Sequence, residues 1–165
     1  YLDQQLESIG RLAENISQNK NPQLWFFVLI FFNNAIKSIV IIYLGAFFGI
    51  LPMLFLAVNG MILGYLFSNA LANQENLFQM IVQGILPHGI IEIPAIIIAC
   101  AYGMKFGVLM LQGVFSLVRP AARIAWGVRT ANFLKMTVPL VIGLVFLLFV
   151  AAVIESTITY WLVQL

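Results

Sequence analysis

His88 and Glu92 are the residues of this chain whose types and spacing could do chemistry. His88 is its only histidine and Glu92 one of six acids. Four residues on a helix make about one turn, so the two share a face. Both lie in Pro87-His88-Gly89-Ile90-Ile91-Glu92-Ile93-Pro94-Ala95, a stretch otherwise fit for lipid. An ionisable pair at membrane depth is costly unless it faces protein or water, which makes it the first candidate for function. A satisfied structural network is the other reading. Together with Glu155 the pair could ligate a metal, since catalytic zinc sites use three protein ligands. Against this stand the single histidine and the lack of a further acid beside it to act as general base. Ser38, Ser68, Ser116 and Ser156 lie in no nucleophile motif, and no glycine-rich phosphate loop occurs. The expectation is a non-enzyme with no cofactor. Cys100, the only cysteine, gives neither an intrachain disulfide nor a thiolate cluster.

The elements that must position these residues follow from composition. Hydrophobic residues make up 62% of the 165, charged residues 8%, and mean hydropathy is +1.02, whereas soluble domains carry roughly 25% charged residues. A soluble core of this size could not hide so much apolar surface. The fold class is therefore all-α, a polytopic transmembrane bundle of about four spans with amphipathic interfacial helices. The chain begins at Tyr1 rather than a methionine and shows no signal-peptide pattern. That leaves room for further chain ahead of it, including another membrane helix.

Residues 1–21 read as a separate amphipathic helix, with Leu2, Leu6, Ile9, Ala13 and Ile16 on one stripe and Asn21-Pro22 ending it. Residues 22–165 form the membrane domain. Aromatic residues crowd the stretch before Asn33-Asn34, as at a membrane interface. A break there, with an asparagine as N-cap, would start the first span at about residue 33 and let Lys37 reach the headgroups. Gly49 and Pro52 bracket a turn, and a second span over residues 53–71 carries Asn59. Residues 72–86 read as an interfacial helix. Pro87 suits the first turn of a third span over 87–107, and Pro94 should kink it, freeing the Ile90 carbonyl. A bend is expected near Gln112-Gly113. Residues 119–135 then form a connection holding Arg119, Arg123, Arg129 and Lys135, with Trp126 placed to anchor it. The fourth span covers 136–160.

With Lys105 that connection gathers five of the eight Lys and Arg residues. The positive-inside rule puts it in the cytoplasm, with both ends of the chain and residues 72–86 outside. Glu92 then lies roughly 7–8 Å below the outer boundary, and Glu155 a comparable distance below the end of span four. The expected cluster is His88, Glu92 and Glu155, with Lys37 as counter-charge and Asn33, Asn34 or Asn59 donating hydrogen bonds. Glycine pairs spaced by four, Gly45/Gly49, Gly60/Gly64 and Gly103/Gly107, permit close helix packing. Whether they close the monomer or a homo-oligomer stays open at this level. The basic connection suits an anionic inner leaflet rather than nucleic acid.

The block over residues 87–95, preceded by Phe32-Asn33-Asn34 and Asn59-Gly60 and followed by Ala152-Val153-Ile154-Glu155, resembles the stage II sporulation protein M family. The resemblance runs from Phe32 onward and leaves the opening helix outside it. It implies a polytopic membrane protein whose sporulation member helps hold a septal peptidoglycan-hydrolase complex during engulfment. The expected partners are the lipid bilayer and other membrane or envelope proteins. The function so implied is a scaffold for cell-envelope remodelling. The alternative is an ion- or solute-transport component built on the His/Glu cluster, as broken helices and intramembrane carboxylates suit such sites.

Overall fold

The computed structural model describes residues 21–73 and 86–163, with the side chains of all these except residues 22, 86–88, 120–121 and 159–163. The expected helices over 1–21 and 72–86 fall largely outside those residues. The chain is all-α: α1 (Pro22–Leu44), α2 (Ile50–Ala72), α3 (Leu86–Ser116) and α4 (Pro120–Val163). All four helices are long and apolar enough to cross a membrane. Few polar side chains are available to pair a broken backbone in lipid, so each segment meets its own N–H and C=O groups by staying helical.

Three expected interruptions are absent from these helices. No break occurs at Asn33-Asn34, because α1 is continuous through them. An asparagine within a helix costs under about 1 kcal/mol, whereas orphaned backbone groups in hydrocarbon cost several each. No bend occurs at Gln112-Gly113, which lie inside the 31-residue α3. Residues 119–135 form no long connection either: α4 begins at Pro120 and runs 44 residues, so the basic residues ride on its first turns. Pro94 and Pro139 sit within α3 and α4 without ending them.

The α1–α2 turn explains how the first two helices reverse. It spans Gly45 to Gly49, and Phe48 (φ 57°) and Gly49 (φ 78°) both take left-handed backbone. Such a conformation is easy for glycine and costly for phenylalanine. Around it, the core is formed by Ile41 and Ile42 of α1, Ala95, Ala99 and Cys100 of α3, and Leu144 and Leu148 of α4. The buried alanines, including Ala151 and Ala152, bring the helices close where lipid offers no hydrophobic drive to association.

α4 runs antiparallel to α1. Gln23 Nε2 donates to Thr157 Oγ1 over 3.3 Å, and Phe149 meets Phe27 and Phe31 edge-on. α2 is held more loosely, with Pro52 and Ala70 its buried residues.

A hydrocarbon layer about 30 Å thick fits α2, which is uncharged over its 23 residues and about 34 Å long. It also fits the uncharged residues 136–154 of α4. At one boundary of this layer the turn packs on α3: a Cβ added to Gly49 would meet Met104 Cα at 3.3 Å. Phe133 stacks on Tyr102 and Phe106 at the same level, so Lys105 and Lys135 both lie at that edge. Beyond it, residues 108–116 of α3 continue for roughly 14 Å and turn back through the start of α4. The resulting two-helix arm is locked by Trp126, whose Nε1 donates to the Leu109 carbonyl over 2.7 Å and whose ring covers Gly113. Trp126 is thus an internal bolt rather than an interfacial anchor.

Candidate functional site

α1 and α3 run parallel at one constant offset. Asn34 Nδ2 donates to Glu92 Oε1 across 58 residues; the same offset pairs Gly45 with Gly103 and Gly49 with Gly107. A Cβ on Gly45 would fall 2.7 Å from Gly103 Cα, and one on Gly103 would fall 2.8 Å from the Ile41 carbonyl oxygen. The side of α1 that meets α3 carries a polar contact at Asn34 and leads into a turn whose glycines, Gly45 and Gly49, lie against Gly103 and Gly107.

Asn34 lies midway along the 23-residue α1, so its contact with Glu92 sits near the middle of that helix. Along α3 itself Glu92 lies six residues, about 9 Å, from the described start at Leu86. Glu92 and Asn34 are half-buried, and they line a cavity of about 530 Å³ between α1, α2 and α3 with Asn59. Asn59 Nδ2 donates to the Phe55 carbonyl of its own helix over 2.8 Å. The remaining walls are leucine, isoleucine and glycine, among them Leu56, Leu63, Ile93 and Ile96.

The other expected members stand apart. The register of α1 against α4 sets Glu155 beside the first turn of α1, about ten residues or roughly 15 Å from Asn34 along the axis. Glu155 is half-buried there, near the Gln23–Thr157 contact. Asn33 and Lys37 are exposed on the outer side of α1. Lys37 lies about one turn past Asn34, where its stem must run along the helix to bring its ammonium toward polar surroundings. His88 and Pro87 belong to the first turn of α3, and their side chains are outside the described ones. Among the described residues, no group of three or more His, Cys, Asp or Glu side chains converges to hold a metal ion. Among the described residues, nothing outside their own stretch of helix would lie within 4 Å of a Cβ at Gly60 or Gly64.

The arm was not legible as a site. Its exposed residues are apolar and large, with Phe115 74%, Val118 85% and Ile124 75% exposed. By sequence Phe115 and Val118 fall in an apolar stretch past the third span and Ile124 in the basic connection, since local hydropathy does not tell which side of a boundary a helix has reached.

Comparison with known proteins matches residues 1–160 to the family described as Stage II sporulation protein M. The match takes in the opening residues, which the sequence resemblance left out. An uncharacterized protein of Methanocaldococcus jannaschii, MJ0706, is 27% identical over 154 residues, covering 93% of this chain. The chain spans about 65% of that relative's length. No solved structure matches. The chain belongs to the stage II sporulation protein M family and is a multi-pass membrane protein by its four spans.

Proposed function

From that membership we propose that the protein is a non-catalytic membrane scaffold that gathers partner proteins for cell-envelope remodelling. The observation that carries this reading is the arm. With the hydrocarbon layer set on α2 and on residues 136–154 of α4, its helices extend past that layer, and Val114, Phe115, Leu117, Val118, Ile124 and Val128 are exposed. A contiguous apolar surface outside lipid is an interaction surface more often than a tolerated cost. Arg119, Arg123 and Arg129 rim it and give it a positive field. By the positive-inside rule the arm faces the cytoplasm, and the start of α1 at Pro22 and the far end of α4 lie on the other side.

Photo-crosslinkers at Val118 and Ile124 in living cells test this, with lipid-facing Val40 as the control position. Defined protein adducts from the arm positions that are lost on Phe115→Glu support the scaffold. Adducts equal to those at Val40, or unchanged by Phe115→Glu, refute it.

A second reading, an ion- or solute-transport component, is favoured by one observation: Glu92 and Asn34 meet near the middle of α1 beside a cavity. Transporter sites collect polar groups near the middle of their spans. Flux in vesicles that disappears on Glu92→Gln supports it; a parent protein without flux removes it.

A further inference from the structure

We propose that the groove between the two helices of the arm seats an acidic amphipathic helix of a partner protein. The inference rests on the scaffold reading and gives that partner a chemistry. The groove is open and holds about 550 Å³; Met110, Val114 and Leu117 of α3 face Arg123 and Trp126 of α4 across it, with Gly113 at its floor. Positions 110, 114 and 117 are spaced by four and three, so they form one stripe about two turns, or roughly 10 Å, long.

The polar groups of the groove decide the form of its guest. Ser116 Oγ donates to the Gly113 carbonyl over 2.7 Å and Trp126 Nε1 to the Leu109 carbonyl, so both donors are turned into the arm. The carbonyls at the end of α3 are taken as well, Val114 by the Leu117 N–H and Ser116 by the Arg119 N–H. An extended segment laid here would find no ladder for its own N–H and C=O groups, and burying them unpaired is costly. A helix arrives with its backbone already paired and offers apolar side chains at the same spacing of three and four.

Charge decides the sign. Residues 93–154 hold Lys105, Arg119, Arg123, Arg129 and Lys135 and no aspartate or glutamate. Arg123 lines the groove and is exposed, so a basic guest is repelled and an acidic one attracted. A second copy of this arm carries the same charge and cannot fill the role. Anionic lipid shares the acidic chemistry, but with the hydrocarbon layer set on α2 and on residues 136–154 of α4 its acyl chains would have to leave the bilayer to reach the groove.

The probes are synthetic peptides of about 18 residues, or five turns. One carries leucine along a single helical stripe and glutamate elsewhere, one has lysine in place of glutamate, and one scrambles the leucine–glutamate composition. Each is titrated by fluorescence anisotropy against the full chain in phosphatidylcholine nanodiscs, with empty nanodiscs as the baseline. The expected result is saturable binding of the glutamate amphipathic peptide alone. Arg123→Glu and Leu117→Asp should each weaken it about tenfold or more and Arg123→Lys should keep it within about threefold, while thermal unfolding stays cooperative. Equal binding of the lysine or scrambled peptide, binding unchanged by Arg123→Glu and Leu117→Asp, or no binding above the baseline overturns the proposal. So does a photo-crosslinker at Leu117 that captures phospholipid in the presence of saturating peptide. Protein adducts from Val118 and Ile124 in cells without peptide binding leave the scaffold standing and remove only its acidic-helix partner. Peptide binding without such adducts upholds the chemistry of the groove and removes the scaffold.

Discussion

Asn34 and Glu92 meet across the same interval of 58 residues that sets Gly45 on Gly103. One parallel helix pair thus holds the polar contact and leads into one of the closest backbone approaches among the described residues. Energetic coupling between the two polar residues is the direct test. In a double-mutant cycle with Asn34→Leu and Glu92→Leu, followed by thermal unfolding in detergent, the pair should couple by about 0.5–3 kcal/mol. Strict additivity would show that the contact does not form.

Glycine substitutions should separate by position. Gly45→Val must drive a side chain into the backbone of Gly103, and overpacking of this kind costs about 1–3 kcal/mol or more. Gly64→Val meets open space and should leave the unfolding temperature within error of the parent. Equal effects at both positions would contradict the register of α1 on α3.

Within the arm, Trp126→Phe keeps the ring and removes the donor to the Leu109 carbonyl. The expected loss is about 0.5–1.5 kcal/mol. Gly113→Leu should cost more, because a Cβ there already falls 2.7 Å from the Trp126 ring. Hydrogen exchange across residues 108–130 reads both, and unchanged protection would mean that the two helices are not bolted.

Cysteine accessibility checks where the hydrocarbon layer ends. Cys100 is buried and supplies a quiet background. A membrane-impermeant maleimide should label Phe115→Cys and Arg123→Cys from the cytoplasmic face, and should spare Ile142→Cys, which is exposed only to lipid. Labelling of Ile142→Cys, or protection of Phe115→Cys, would place the arm inside the membrane.

Lys37 makes a contrary prediction. Its side chain leaves the exposed side of α1 and must snorkel along the helix, and a cationic side chain costs up to about 2.5–3.5 kcal/mol at a helix centre on insertion scales. Lys37→Leu should raise insertion efficiency and leave the fold intact, as measured by glycosylation mapping of the span. A fall in insertion or folding would show that Lys37 has a partner it cannot lose.

The number and class of the helices were readable from hydropathy alone, because lipid forces any 20-residue apolar run into a helix. The glycine spacing was equally plain. Which glycines pair was not: Gly45 and Gly103 touch while Gly60 and Gly64 face open space, and spacing by four is identical in all three pairs. Asn33-Asn34 misled through weak helix propensity, which the surrounding hydrocarbon outweighs. Gln112-Gly113 misled through length, since a 31-residue α3 runs on past the layer that a single span would fill. Arg119 to Lys135 misled differently, since charge marks the end of a membrane layer and says nothing about whether the helix stops there. The candidate cavity was legible in its parts, as Asn34, Asn59 and Glu92, but Glu155 was drawn in by a depth argument that assumed every span begins at one level.

A continuous α4 has a mechanical consequence. Its 44 residues make a rod of about 66 Å that carries both the Glu155 end and Arg123, with no loop between them to absorb rotation. Whatever grips the arm is held at a set standoff from the bilayer. Pro139, which removes a rung from the hydrogen-bond ladder of this rod, is the joint through which any load on the arm must reach the opposite face.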